Sequence, residues 1–235
     1  ANDAQHLQFP CEVGGRFYRN ASSWFSFDAK KGQSYVVEVI AQRLSGLSDP
    51  VMTLEKVSAD KDGNPVTGKI GEADDEAKNI GGRRFPTNHR DPSYLFKAGA
   101  DVKVRVRIRD NYQTGNPYRL IVRAPKPGFD LLMSLPPPYD NNAKSKKVAR
   151  GGIAIRRGQV GTIDVYALRR DGFDGVINLT VEGLPDSFET ASVQLTSSAS
   201  KIGLPFRIRD DAPAWSGSVR VFGSAKIEGS EVRRQ

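Results

Sequence analysis

The sequence predicts an all-β protein of two β-sandwiches in tandem, and three observations carry that expectation. Short segments alternate apolar and polar residues with period two, the pattern of half-buried strands, and no convincing helical stripe interrupts them. Glycine, proline, asparagine and aspartate cluster between these segments, as turns between short strands require. A stretch rich in proline, asparagine and lysine divides an earlier group of strands from a later one, and such a composition reads as a linker.

Taken in order, residues 1–9 read as an N-terminal tail. A first strand opens with CEVGGRFY at Cys11. SSWFSFDA (22–29) sets Phe25 and Phe27 against Ser26 and Asp28, and QSYVVEVIAQ (33–42) is β-branched and aromatic-rich. PVMTLEKV (50–57), PSYLFKA (92–98), DVKVRVRIRD (101–110) and NPYRLIVRA (116–124) follow, separated by turns such as KDGNP and QTGNP. Residues 10–124 thus form one expected sandwich, and 125–147, with APKPG and SLPPPYDNNAKSKK, the linker. In residues 148–235 the alternation resumes in GGIAIRRG (151–158), VGTIDVYALRR (160–170), GVINLTVEGLP (175–185), ASVQLTSS (191–198), IGLPFRIRD (202–210) and GSVRVFGSAKI (217–227). Strands at that density match an immunoglobulin-sized sandwich.

Composition narrows the function classes. The net charge is +8, but it divides evenly, +4 on each side of Pro138. A nucleic-acid domain concentrates its charge on one element or tail, so nucleic acid is not the expected partner. The single cysteine, Cys11, allows no intrachain disulfide and no cysteine-based metal site, and His6 and His89 lack the spacing of a zinc pair. No apolar run approaches the roughly twenty residues of a membrane-spanning helix.

FSFDAKKGQSYVVEV, DPVMTLEK with KDGN after it, ADDE, DPSYLFKAGADVKVRV and NPYRLIV together resemble a bacterial pre-peptidase C-terminal domain over about residues 10–124. The resemblance implies a jelly-roll-like sandwich appended to secreted proteases and other extracellular bacterial proteins; AQRLSGLSDPVMTL is similar to the version in large extracellular proteins of planctomycete-like bacteria. RRDGFDGVINLTVEGLP (169–185) followed by GSVRVFGSA (217–225) resembles the Ig-like module that often follows it. The implied location is extracellular or at the cell surface, with the periplasm also open, and the implied partners are neighbouring domains of a longer polypeptide. The chain ends at EVRRQ inside an expected strand, as a piece of something larger would.

Two histidines give a Ser/His/Asp constellation little material, and neither nucleotide-binding glycine motif is present. The expectation is a noncatalytic accessory segment that needs no cofactor; the alternative is a carbohydrate-binding module. Loop carboxylates Asp60, Asp62, Asp74, Asp75 and Glu76 are candidate calcium ligands, because hard cations take several such oxygens. Asp74-Asp75 match the family's Asn/Asp-Asp position, but Ser23 stands where the family often places an acid. Trp24, on the face opposite core-facing Phe25, and Tyr112, in the loop DNYQTGNPY, are candidate sugar contacts; Trp215 opens the last strand pair and Tyr139 lies in the linker, and partial packing is the simpler account of each aromatic taken singly.

The alternation in DVKVRVRIRD puts Lys103, Arg105, Arg107 and Arg109 on one surface. If the next strand pairs with it through the 111–116 loop, Arg119 and Arg123 join them. A face of six cations suits sulfated or carboxylated polysaccharide, since guanidinium donates paired hydrogen bonds to oxyanions. A solvated outer face of a strand is the simpler account of the same row.

Overall fold

The computed structural model describes residues 4–44, 46–82, 85–135 and 152–235. The protein is all-β: among the described residues the only other regular element is a short 3-10 helix at Gln42–Leu44. The chain divides into two compact units, Ala1–Lys126 and Pro127–Gln235. Among the described residues no helix is long and apolar enough to cross a membrane.

The first unit is built from β1 (Gln5–His6), β2 (Cys11–Arg16), β3 (Ser23–Ala29), β4 (Ser34–Ile40), β5 (Pro50–Ala59), β6 (Pro65–Ala73), β7 (Ser93–Lys97), β8 (Val102–Asp110) and β9 (Pro117–Arg123). Two sheets face each other, ordered β1-β3-β8-β5-β6 and β2-β9-β4-β7. Each contributes its inward residues to one core: Phe25, Phe27, Met52, Leu54, Val104, Val106 and Ile108 from the first, Tyr35, Val37, Val39, Tyr118, Leu120 and Val122 from the second. The alternation in β8 therefore does what the pattern promised, with Val104, Val106 and Ile108 fully enclosed.

Three expectations for this unit change. The tail is partly structural: β1 pairs in parallel with β3, and Leu7 joins the core. β6 is a full strand that the sequence hides, because Gly68 and Gly71 break its pattern; a Cβ at Gly71 would lie 2.1 Å from the ring of Tyr94. And β8 and β9 do not form a hairpin. β8 pairs with β3 and β5, while β9 pairs with β2 and β4 in the other sheet. The loop between them crosses the sandwich, since the apolar sets of both strands are satisfied by facing each other across the core.

The second unit contains β10 (Gly128–Ser134), β11 (Val160–Arg170), β12 (Ile177–Glu182), β13 (Phe188–Thr190), β14 (Val193–Leu195), β15 (Lys201–Ile208), β16 (Arg220–Ile227) and β17 (Ser230–Arg234). Its sheets are ordered β10-β11-β15-β13 and β14-β12-β16-β17. Phe129, Ile163, Val165, Ala167, Leu204 and Phe206 of one meet Ile177, Leu179, Leu195, Val221 and Ala225 of the other.

Two expectations change here as well. Residues 128–134, read as linker, are a strand paired with β11 along its whole length. Of the expected linker, residues 136–147 lie outside the described residues. The expected strand at 151–158 is not one in its described part: residues 153–156 are irregular and lead into a turn at 157–158, with the Gly158 N–H bonded to Ile208 O and Gly158 at φ +71°.

Candidate functional site

β8 is the middle strand of a five-stranded sheet, so its outward row lies at the centre of a face and not at an edge. On one side the register sets Asp28 against Lys103, Ser26 against Arg105 and Trp24 against Arg107. On the other it sets Val57, Glu55 and Thr53 against the same three. The Arg105 guanidinium lies over the Trp24 ring, 4.3 Å from its centroid, and that of Arg107 lies 5.8 Å from it. None of Lys103, Arg105 and Arg107 makes an ion pair or hydrogen bond among the described residues, and the Arg105 Nε is enclosed without a partner. Arg109 donates to Asn111 Oδ1.

The other members of the expected basic face are elsewhere. Arg119 and Arg123 lie on the opposite sheet and are neutralised there: Arg119 is ion-paired with Glu12, and Arg123 lies 3.9 Å from Glu38. Tyr112 is 54% exposed, but the Arg90 guanidinium sits 4.9 Å from its centroid, and no ring contact joins it to Trp24. Trp215, in the second unit, meets Phe188 edge to face; Tyr139 lies outside the described residues. The six cations and two aromatics expected to act together thus reduce to Trp24 with Lys103, Arg105 and Arg107.

The five expected calcium ligands do not converge either. Asp60 closes the β5–β6 turn, its Oδ1 accepting from the backbone N–H of Asp62 and Asn64, and Asp62 is exposed in that turn. Glu76 accepts from the Lys78 N–H. Asp74 and Asp75 instead approach Asp49, which the sequence reading passed over, and the three carboxylates lie within 4.8 Å of one another. Burial pushes the Asp74 carboxyl above its ordinary value, and the charges of Asp75 and Asp49 push it the same way. Three carboxylates can supply only part of the six to eight oxygens that calcium takes, the rest coming from bidentate contacts or water. Removing a neighbouring charge should lower the Asp74 midpoint: Asp75→Asn is expected to bring it toward that of an ordinary aspartate in an NMR titration. An unmoved midpoint would show that the cluster is not electrostatically coupled.

Two further carboxylates matter more to the architecture. Asp91 is wholly buried; its Oδ1 accepts from the N–H of Ala41 and Gln42, its Oδ2 from the N–H and Nε of Arg43. Asp110 accepts from the N–H groups of Asp49, Tyr112 and Thr114 and from the Thr114 hydroxyl. The sequence signals Asp49 and Asp91 only as Asp-Pro pairs ahead of strands, where proline holds the preceding residue extended. His89, the other histidine besides exposed His6, accepts at Nδ1 from the Asp91 N–H at 3.3 Å. Burial raises the Cys11 thiol above its ordinary range, opposite to what a reactive thiolate needs. No family model matches this chain, and no curated protein matches it.

Proposed function

We propose that this chain is a noncatalytic accessory segment of a larger extracellular bacterial protein, two sandwiches that space or present neighbouring domains. One observation carries the reading: the groups a hydrolytic site would need are spent on holding loops. Asp91 and Asp110 give both carboxylate oxygens to loop N–H groups and side chains, and His89 Nδ1 accepts from the Asp91 backbone N–H. A general base must instead be free to reach a substrate proton. The resemblance of residues 10–124 to pre-peptidase C-terminal domains, and of the second unit to Ig-like modules, supports the extracellular setting.

A second reading, polysaccharide binding, is favoured by the unpaired cations around Trp24 at the centre of a sheet. The two readings are compatible, because an accessory segment that holds a polysaccharide keeps its neighbour at the substrate. Fused to a polysaccharide-degrading domain, the chain is expected to raise hydrolysis of an insoluble substrate and leave that of a soluble one unchanged. Turnover of peptide or glycoside substrates by the chain alone, abolished in His89→Ala, would sink the noncatalytic reading.

A further inference from the structure

Trp24 has the type and position of a sugar platform, yet its ring carries the Arg105 guanidinium 4.3 Å from its centroid, and Arg107 approaches the same ring. An aromatic ring binds a neutral sugar through its open face, and here a cation is stacked on the ring. The guanidinium, by contrast, keeps its donors in its own plane, so stacking on a ring fixes its orientation and leaves those donors available. In Arg105 the enclosed, unpartnered atom is Nε; the Nη groups make no bond to the protein and are not enclosed with it.

Charge complementarity decides what fits. The acids on this face are Asp28, Glu55 and Glu72. Glu72 is bound to Lys69, and Asp28 lies 3.7 Å from His6. Among the described residues Asp28, the register partner of Lys103, and Glu55, that of Arg105, are not paired with a lysine or arginine, so the three cations Lys103, Arg105 and Arg107 face two such carboxylates and stay in excess. Alternate residues of a strand stand about 7 Å apart, which gives a row of donors along β8 for a ligand with repeated negative charges.

Resting on the polysaccharide reading, we propose that this face binds an acidic polysaccharide, through oxyanions held by Arg105 and Arg107 with Lys103 beside them. Trp24 is a positioning residue that holds the guanidinium groups and does not itself stack on sugar. The shared chemistry is a sulfate or carboxylate oxyanion; dextran sulfate and alginate separate the two sources, and neutral dextran and duplex DNA complete the set.

Affinity electrophoresis and calorimetry with these four probes test the proposal. Dextran sulfate or alginate should bind, and more weakly by about tenfold or more when the screening length shortens from about 30 Å to about 10 Å. Arg105→Gln should cost about tenfold or more. Arg105→Lys, which keeps the charge, should also weaken binding, because the stacked fork is lost. Trp24→Ala should cost several-fold through the same two arginines and so have little further effect in an Arg105→Gln, Arg107→Gln background. Glu55→Gln should tighten binding, a gain that misfolding cannot mimic, and Lys97→Gln on the other sheet should change nothing. Binding of neutral dextran as strong as that of the acidic probes would overturn the acidic assignment and leave the polysaccharide reading standing. Binding to none of the polysaccharides would overturn both, and DNA bound more tightly than either acidic polysaccharide would replace the proposed ligand.

Discussion

Phe129→Ala is expected to destabilise the second unit by about 3–5 kcal/mol, the usual cost of emptying a fully buried phenylalanine site. Phe129 is wholly enclosed and stacks on Phe173, ring centroids 5.6 Å apart. Gly223 on the facing sheet admits it: a Cβ there would lie 3.0 Å from the Phe129 ring and 2.7 Å from Ile177. Alanine would leave a void that backbone on both sides keeps from collapsing. For a unit of this size the loss corresponds to a melting point lower by about 10 °C or more. Trp215, the one tryptophan of the second unit, reports the transition by fluorescence in a Trp24→Phe background. A truncation asks the same question more severely. A chain begun at Pro127 should fold, whereas one begun at residue 148 lacks the whole of β10, exposes the β11 edge and should not fold. Cooperative unfolding of the shorter chain would restore residues 128–134 to the linker.

That strand was hard to read for a physical reason. GFDLLMS carries leucine and methionine in place of β-branched residues, and the prolines and lysines around it set the local composition. What makes it a strand is a long-range fact, the hole above Gly223. In β8 the opposite holds: strict alternation of valine with lysine or arginine fixes the buried face, and Val104, Val106 and Ile108 occupy it. Period two names a strand's face but not its neighbour. Consecutive strands pair more often than not, and the expected six-cation surface rested on β8 and β9 doing so. Once the 111–116 loop crosses to the other sheet, Arg119 and Arg123 find Glu12 and Glu38, and the row on β8 keeps Lys103, Arg105 and Arg107, which make no ion pair among the described residues. The acidic loops show the same limit. Asp74 and Asp75 are adjacent in sequence, but their companion Asp49 is the residue just before β5, as no local spacing could show.

Removing the Asp91 carboxylate should be the most damaging polar substitution in the first unit. Asp91→Ala would strand the N–H groups of Ala41, Gln42 and Arg43 and break the ion pair with the Arg43 Nε, 2.7 Å away. The half-exposed Arg43 keeps Glu38 as a partner, so the main cost is the stranded N–H groups, about 1–3 kcal/mol for each one left buried without an acceptor. Asp91→Asn has nearly the same shape, yet its NH₂ would face the two Arg43 donors, or, if turned, those of Ala41 and Gln42; it should recover little of the loss. The wild-type protein should show the same dependence as an acid transition. Burial alone would raise the Asp91 carboxyl, but the hydrogen bonds from the Arg43 side chain and from the N–H groups of Arg43, Ala41 and Gln42 outweigh it and hold the group below its ordinary value. The unfolded chain therefore takes up this proton first as pH falls. The stabilisation is full above the unfolded value of about 3.9 and is lost as pH drops through the lower folded value. Asp110, held low by Thr114 and the N–H groups of Asp49, Thr114 and Tyr112 against its burial, adds to the same window. Denaturant titrations of the first unit at pH 7 and near pH 3 should differ in the wild type and differ less in Asp91→Asn. Equal differences in the two proteins would show that Asp91 does not carry the acid sensitivity and that the cap is weaker than its four bonds imply.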